Sequence, residues 1–103
     1  MNDWKWYNFY IILVMKFEFD PDKSATNKDK HGIDFVEAQA LWADERRTVA
    51  PVQSDTESRY ILTGKIAEKH WTAVYTWRGD WLRIISVRRA RDKEKQTYED
   101  NNR

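Results

Sequence analysis

The chain has no cysteine, three glycines, two prolines and two histidines in 103 residues. Without cysteine there is no disulfide, no thiol nucleophile and no zinc-thiolate site, a composition that suits a reducing cytosol. Two histidines alone leave little from which to build a metal centre. Long apolar runs are also missing. Phe9–Met15 spans seven residues, against the roughly 20 needed to cross a bilayer, and with one early lysine and no small-residue cleavage site it does not read as a secretory signal. Charge of one sign is lacking too, since 18 Lys and Arg stand against 17 Asp and Glu for a net of +1. The field of the whole molecule therefore selects no partner. No repeat, no glycine-rich phosphate loop and no nucleophile-plus-base pattern is present.

What the chain does have is aromatic surface and a lopsided distribution of charge. Aromatics make up 15% of residues, with six Trp and five Tyr, enough to bury large areas in one domain and to offer flat surfaces for stacking. The stretch Ser58–Asp100 organises the rest. Three runs rich in β-branched and aromatic residues, Arg59–Ile66, Trp71–Trp77 and Trp81–Arg89, read as a strand meander, with Gly79-Asp80 at its second turn. The third run ends in positive charge. Between Arg83 and Lys95 lie six basic residues, Arg83, Arg88, Arg89, Arg91, Lys93 and Lys95, against Asp92 and Glu94. Acidic residues such as Asp20, Asp22, Glu37, Asp44, Asp55 and Glu57 lie earlier.

Upstream, Met15–Asp20 alternates as a strand. The segment 1–14 reads as an extension before Met15 or as a further edge strand, and we favour the extension. Asp20-Pro21 predicts the start of a helix and Gly32 its end, with Lys28, Lys30 and His31 complementing the dipole in the last turn. That helix is almost wholly polar and is expected on the surface. A second helix follows, in which Asp34 and Glu37 have capping-box spacing and Phe35, Ala38, Leu41 and Trp42 form one apolar face. Glu45–Glu57 is a charged connector with room for an edge strand at Thr48–Val52. In the meander Leu62, Ile66, Ala73, Tyr75, Leu82 and Ile84 alternate with Ile61, Val74, Ile85 and Val87. Apolar residues on both faces predict a second face partly open for a partner. Asp92 is expected to cap a short helix, Lys93–Asn101.

Arginine and lysine near strand ends carry the chemistry that remains. Cations there bind a phosphodiester and stabilise charge that builds on its oxygens. With RNA, the 2′-hydroxyl of the substrate is itself a nucleophile, so a site without an obvious catalytic residue is compatible with cleavage. Arg88 and Arg89 point to opposite faces of their strand. Arg88 reads either as a phosphate contact or as half of an ion pair with Glu94. Lys65 and Arg83 can share its face, or serve as an exposed lysine and a cross-strand salt bridge. His70, placed in the first turn beside Trp71, is a proton-transfer candidate or a plain turn residue. Tyr98 can donate to a leaving oxygen or simply pack its helix.

Several blocks occur in order: Phe17-x-Phe19-Asp20, Asn27-x-x-Lys30-His31-Gly32-Ile33-x-Phe35-x-x-Ala38, Arg59-Tyr60-Ile61-x-x-Gly64, and Arg83-Ile84-Ile85-Ser86-x-Arg88-x-Ala90, completed by Glu94 and Tyr98. From about Met15 to Asp100 the chain resembles the BrnT toxin family of bacterial type II toxin–antitoxin systems, whose members begin near Met15. The resemblance implies an α+β, RelE-like fold. Two N-terminal helices would pack on an antiparallel sheet, made of the C-terminal meander plus an N-terminal strand, with a short C-terminal helix. It implies a cytoplasmic, metal-independent endoribonuclease that arrests translation and growth and uses no cofactor. It also implies a BrnA-like antitoxin as partner, with operator DNA reached only through that complex. By position, Arg88 is the first catalytic candidate, followed by Arg83 and Lys65, with His70 added from its chemistry. Arg59, Arg89 and Arg91 are the RNA-binding candidates. The alternative is a non-catalytic binding module, an inactivated relative that contacts nucleic acid or protein without cleaving.

Overall fold

The computed structural model describes residues 14–102. The expected extension at residues 1–14 thus falls, apart from Val14, outside the described residues. A five-stranded sheet is built from β1 (Lys16–Glu18), β2 (Thr48–Val52), β3 (Arg59–Ile66), β4 (Lys69–Arg78) and β5 (Trp81–Arg89), in the spatial order β1-β5-β4-β3-β2. Helix α1 (Pro21–His31) and a 3-10 helix (Glu37–Ala43) lie between β1 and β2, and helix α2 (Asp92–Asn101) follows β5.

The α+β class and the meander are as the sequence predicts, but two details differ. The sheet is mixed rather than antiparallel, because β1 runs parallel to β5, with Phe17 beside Leu82. The second helix is a seven-residue 3-10 helix. In that geometry residues three apart eclipse, which aligns Ala38 and Leu41 toward the sheet, both fully buried. Gly64 permits the close approach, since a Cβ there would sit 3.2 Å from Leu41 Cδ2. Finally, α2 covers part of the face opposite the 3-10 helix, the face that the apolar pattern leaves open.

Local signals set the element ends. The Asp20 carboxylate accepts from the Asp22 and Lys23 N–H groups, Pro21 occupies the first turn, and Gly32 closes α1 in the left-handed region at φ 84°. Asp34 and Glu37 form the expected reciprocal pair: the Glu37 N–H donates to Asp34 Oδ1 at 2.7 Å and the Asp34 N–H to Glu37 Oε1 at 3.0 Å.

One face of the sheet holds the core. Ile33, Phe35, Ala38, Leu41, Trp42, Leu62, Ala73, Tyr75, Leu82, Ile84 and Val87 are buried together, and Trp42 meets Phe17 and Tyr75 edge-on, each at 5.3 Å. Val87 belongs to this face and not, as simple alternation predicts, to the other. A register shift between Val74 and Tyr75 inserts one residue into β5 and reverses the phase of its second half. Helix α1 lies on the surface as expected, with only Ser24 and Asn27 buried, and it docks through those polar groups. Asn27 donates to the carbonyls of Val87 at 2.9 Å and Ile33 at 2.8 Å and accepts from the Val87 N–H, while Ser24 Oγ accepts from the Phe35 N–H. Asn27 thereby satisfies the edge of β5 beyond the residues that β1 covers.

Candidate active site on the polar face

The face opposite the core is polar at one end because of cross-strand register. Thr48 lies opposite Thr63, Thr63 opposite Thr72, and Thr72 opposite Arg88, so one row runs from edge strand β2 to β5. Lys65 pairs with His70 in the next position toward the β3–β4 turn. That turn is Ala67-Glu68, both at positive φ (48° and 70°). His70 is therefore a strand residue, not the turn residue the sequence suggests, because a tight turn without glycine or asparagine sits two positions earlier.

Helix α2 lies across this row and supplies its carboxylates. Glu94 Oε1 and Oε2 accept from Arg88 Nη1 and Nη2 at 2.8 and 2.9 Å. Oε1 also accepts from Thr72 Oγ1 at 3.1 Å and from the Arg91 N–H at 2.8 Å. The Arg88 guanidinium beside it, helped by the Arg91 N–H and the Thr72 hydroxyl, holds the Glu94 carboxyl down at about 2. Arg88 is raised in turn, first by that same hydrogen bond. The helix cap is accordingly Arg91, closed from within by Glu94, and Asp92 is the first helical residue rather than the cap.

A second cluster adjoins the first. His70 Nε2 is 2.8 Å from Glu99 Oε1, and Lys65 Nζ is 3.6 Å from the same oxygen. Glu99 is lowered, chiefly by the His70 hydrogen bond. The His70 ring packs edge-on against Tyr98 at 5.2 Å. Tyr98 is buried and donates its hydroxyl to Asp44 Oδ2 at 2.7 Å, and burial followed by that bond pushes its phenol well above the ordinary range. Such a group anchors α2 and is a poor proton donor at neutral pH. Asp44 Oδ2 accepts also from the Lys65 N–H at 2.8 Å, tying the anchor to the strand that carries Lys65.

The sequence candidates thus divide between the two ends of the sheet. Lys65, His70 and Arg88 share one face at one end. Arg89 lies at the same end but stacks on Trp71, 5.4 Å from the ring, and its Nε donates to the His70 carbonyl at 3.3 Å. Arg91 opens α2. Arg83 is opposite Thr76 at the far end and lies 3.7 Å from Glu18. Their partners on β4, Thr76 and Thr72, are four residues apart, which puts Arg83 roughly 13 Å from Arg88 along the sheet at 3.3 Å per residue. Arg59, at the start of β3, opposite Val52, is likewise at that end. Glu99, Thr63 and Thr72 were not among the candidates. Glu99 lies five residues after Glu94, and only the placement of α2 on the polar face brings it to His70. A groove of about 370 Å³ borders the cluster between β2, β3 and α2, lined by Thr48, Ile61, Thr63, Arg91, Lys93 and Glu94 among others.

Among the described residues no group of three or more His, Asp or Glu side chains is placed to hold a metal ion, and no helix is long and apolar enough to cross a membrane. No curated protein matches the chain. A family model described as "Ribonuclease toxin, BrnT, of type II toxin-antitoxin system" matches residues 19–94, from just after β1 through Glu94 and including Lys65, His70 and Arg88. With more than half of its length matched, the chain belongs to the BrnT family of ribonuclease toxins of type II toxin–antitoxin systems.

Proposed function

We propose that this toxin cleaves RNA at the end of the polar face where Lys65, His70 and Arg88 gather, with the 2′-hydroxyl of the substrate as nucleophile. The observation that carries this reading is the strand register, which sets Lys65 beside His70 and Thr72 beside Arg88 on one face. In the reaction the 2′-oxygen bonds to phosphorus and the bond from phosphorus to the 5′-oxygen breaks. One proton leaves the 2′-hydroxyl and one is delivered to the departing 5′-oxygen. Arg88 binds the phosphate and stabilises the extra negative charge of the transition state. His70, oriented by Glu99, carries the proton, a task suited to an imidazole near neutral pH. Lys65 adds positive charge beside it. Glu94, held at about 2 by Arg88, is too weak a base for that work.

Positive charge from side chains makes this a metal-independent scheme. Arg89 and Arg91 flank the centre as RNA contacts. Arg83 and Arg59, remote from Arg88, belong in this reading to the track along which the strand of RNA lies. A RelE-like fold, a cytoplasmic location and a BrnA-like antitoxin that links the toxin to operator DNA complete the proposal. Support for the antitoxin face comes from the far end of the polar face, which α2 leaves uncovered and where Trp81 is 47% exposed.

Induction of the chain in bacteria should arrest growth with loss of RNA, and co-expression of the antitoxin should restore growth. In vitro, cleavage should persist in excess chelator. A well-folded protein that binds RNA in a salt-sensitive way but never cuts it would replace this reading with that of a binding module.

A further inference from the structure

Four donors converge on the carboxylate of Glu94: two guanidinium nitrogens of Arg88, the Thr72 hydroxyl and the Arg91 N–H. A bidentate guanidinium and a hydroxyl recognise a carboxylate and a phosphate by the same geometry. The Arg88 and Glu94 side chains are 24% and 16% exposed, so an incoming phosphate cannot reach both Arg88 nitrogens while Glu94 holds them. The two anions must compete for one seat.

We propose that Glu94 is a built-in stand-in for the RNA phosphate, which closes the Arg88–Thr72 seat at rest and swings aside when substrate enters. The proposal rests on reading Arg88 as the phosphate contact. Its second support is space. Glu94 also lines the groove of about 370 Å³ beside β2, together with Arg91 and Lys93. A displaced carboxylate therefore has room to turn and cations to receive it. The helix itself need not leave, because Tyr98 stays bonded to Asp44 and the Asn102 side chain to the Arg46 carbonyl. Such a latch lowers the apparent affinity for RNA by the fraction of molecules in which the seat is open. It also screens the site, since only an anion whose neighbouring contacts outweigh Glu94 gains Arg88.

The test is binding of a single-stranded RNA 2′-O-methylated throughout, which cannot be cleaved. The full chain, Glu94→Gln and Arg88→Ala are compared at one salt concentration. Glutamine keeps an acceptor for the Arg91 N–H, so the helix cap survives. Glu94→Gln should bind about tenfold tighter, the gain if the seat is open in roughly one molecule in ten, and Arg88→Ala should bind more weakly than the parent. Weakened binding in Arg88→Ala with no gain in Glu94→Gln overturns the latch and leaves the phosphate reading standing. Unchanged binding in Arg88→Ala overturns both. Should Glu94→Gln not fold, carbon-13 NMR of the Glu94 carboxyl in the parent chain decides. In the RNA complex its titration should move up toward the ordinary carboxylate range, and a titration left where it was contradicts displacement.

Discussion

On one face of the sheet, Leu62, Ala73, Tyr75, Leu82, Ile84 and Val87 pack under the 3-10 helix. On the other, Thr72, Lys65, His70 and Arg88 meet the carboxylates of α2, and Thr63 shares a hydroxyl hydrogen bond with Thr72. The same strands supply both sets at alternate positions. The first face draws its energy from removing apolar area from water, which is insensitive to the identity of any one neighbour. The second is held by a chain of directional bonds between groups whose solvation offsets much of the attraction. Stability therefore resides mainly on one face, the proposed chemistry is assigned to the other, and substitutions should separate them.

The largest effect belongs to the core. Leu62→Ala removes a fully buried side chain and should cost about 3 kcal/mol in denaturant unfolding, while the folded fraction keeps its cleavage rate. Asn27→Ala comes next. It strips the Val87 N–H and the Val87 and Ile33 carbonyls of their partner, and should cost about 2 kcal/mol. That loss sharpens the comparison, because it makes a polar side chain a structural anchor on the core side; a negligible loss would contradict the anchoring role of Asn27.

A smaller effect appears in acid. The Glu94 carboxyl has its ordinary value of 4.5 in the unfolded chain and about 2 in the folded one. Its contribution is thus complete above pH 4.5 and lost as pH falls toward 2. Melting temperatures should fall more steeply below about pH 5 in the parent than in Glu94→Gln, and parallel profiles would contradict the Arg88–Glu94 pairing. The smallest change is a gain. Replacing Ala67-Glu68 by Asn-Gly supplies residues suited to positive φ at both turn positions and should add about 1 kcal/mol with no effect on RNA cleavage.

Much of the fold was readable from local patterns. Asp20-Pro21 and Gly32 marked element ends through bonds that the chain makes with its immediate neighbours, the Asp34/Glu37 pair forms in the turn leading into the 3-10 helix, and strands β2, β3 and β5 have the predicted bounds. What depended on distant partners was not readable. The parallel docking of β1 beside β5 needs the folded sheet, and the bulge that turns Val87 inward leaves no mark in the pattern of apolar residues. Asn27 looked like one polar residue in a polar helix, since nothing local shows that the strand edge it serves is 60 residues away. Of the site, the Arg88–Glu94 pair was one of two readings weighed from spacing. The His70–Glu99 contact was hidden by the Ala67-Glu68 turn and by the far-side placement of α2. Arg83 stood near Arg88 in sequence and far from it along an extended strand.

That last contrast gives the most direct test of the account. Cleavage of one RNA substrate is measured with purified Arg88→Ala and Arg83→Ala, after circular dichroism shows both to be folded. If the centre lies at the Arg88 end, Arg88→Ala should lose about 100-fold or more in rate at saturating RNA, as loss of a transition-state contact does. Arg83→Ala should mainly raise the RNA concentration needed for saturation. A folded Arg88→Ala that cleaves at the parental rate, with the loss in Arg83→Ala instead, would contradict it and move the centre to the open end of the sheet.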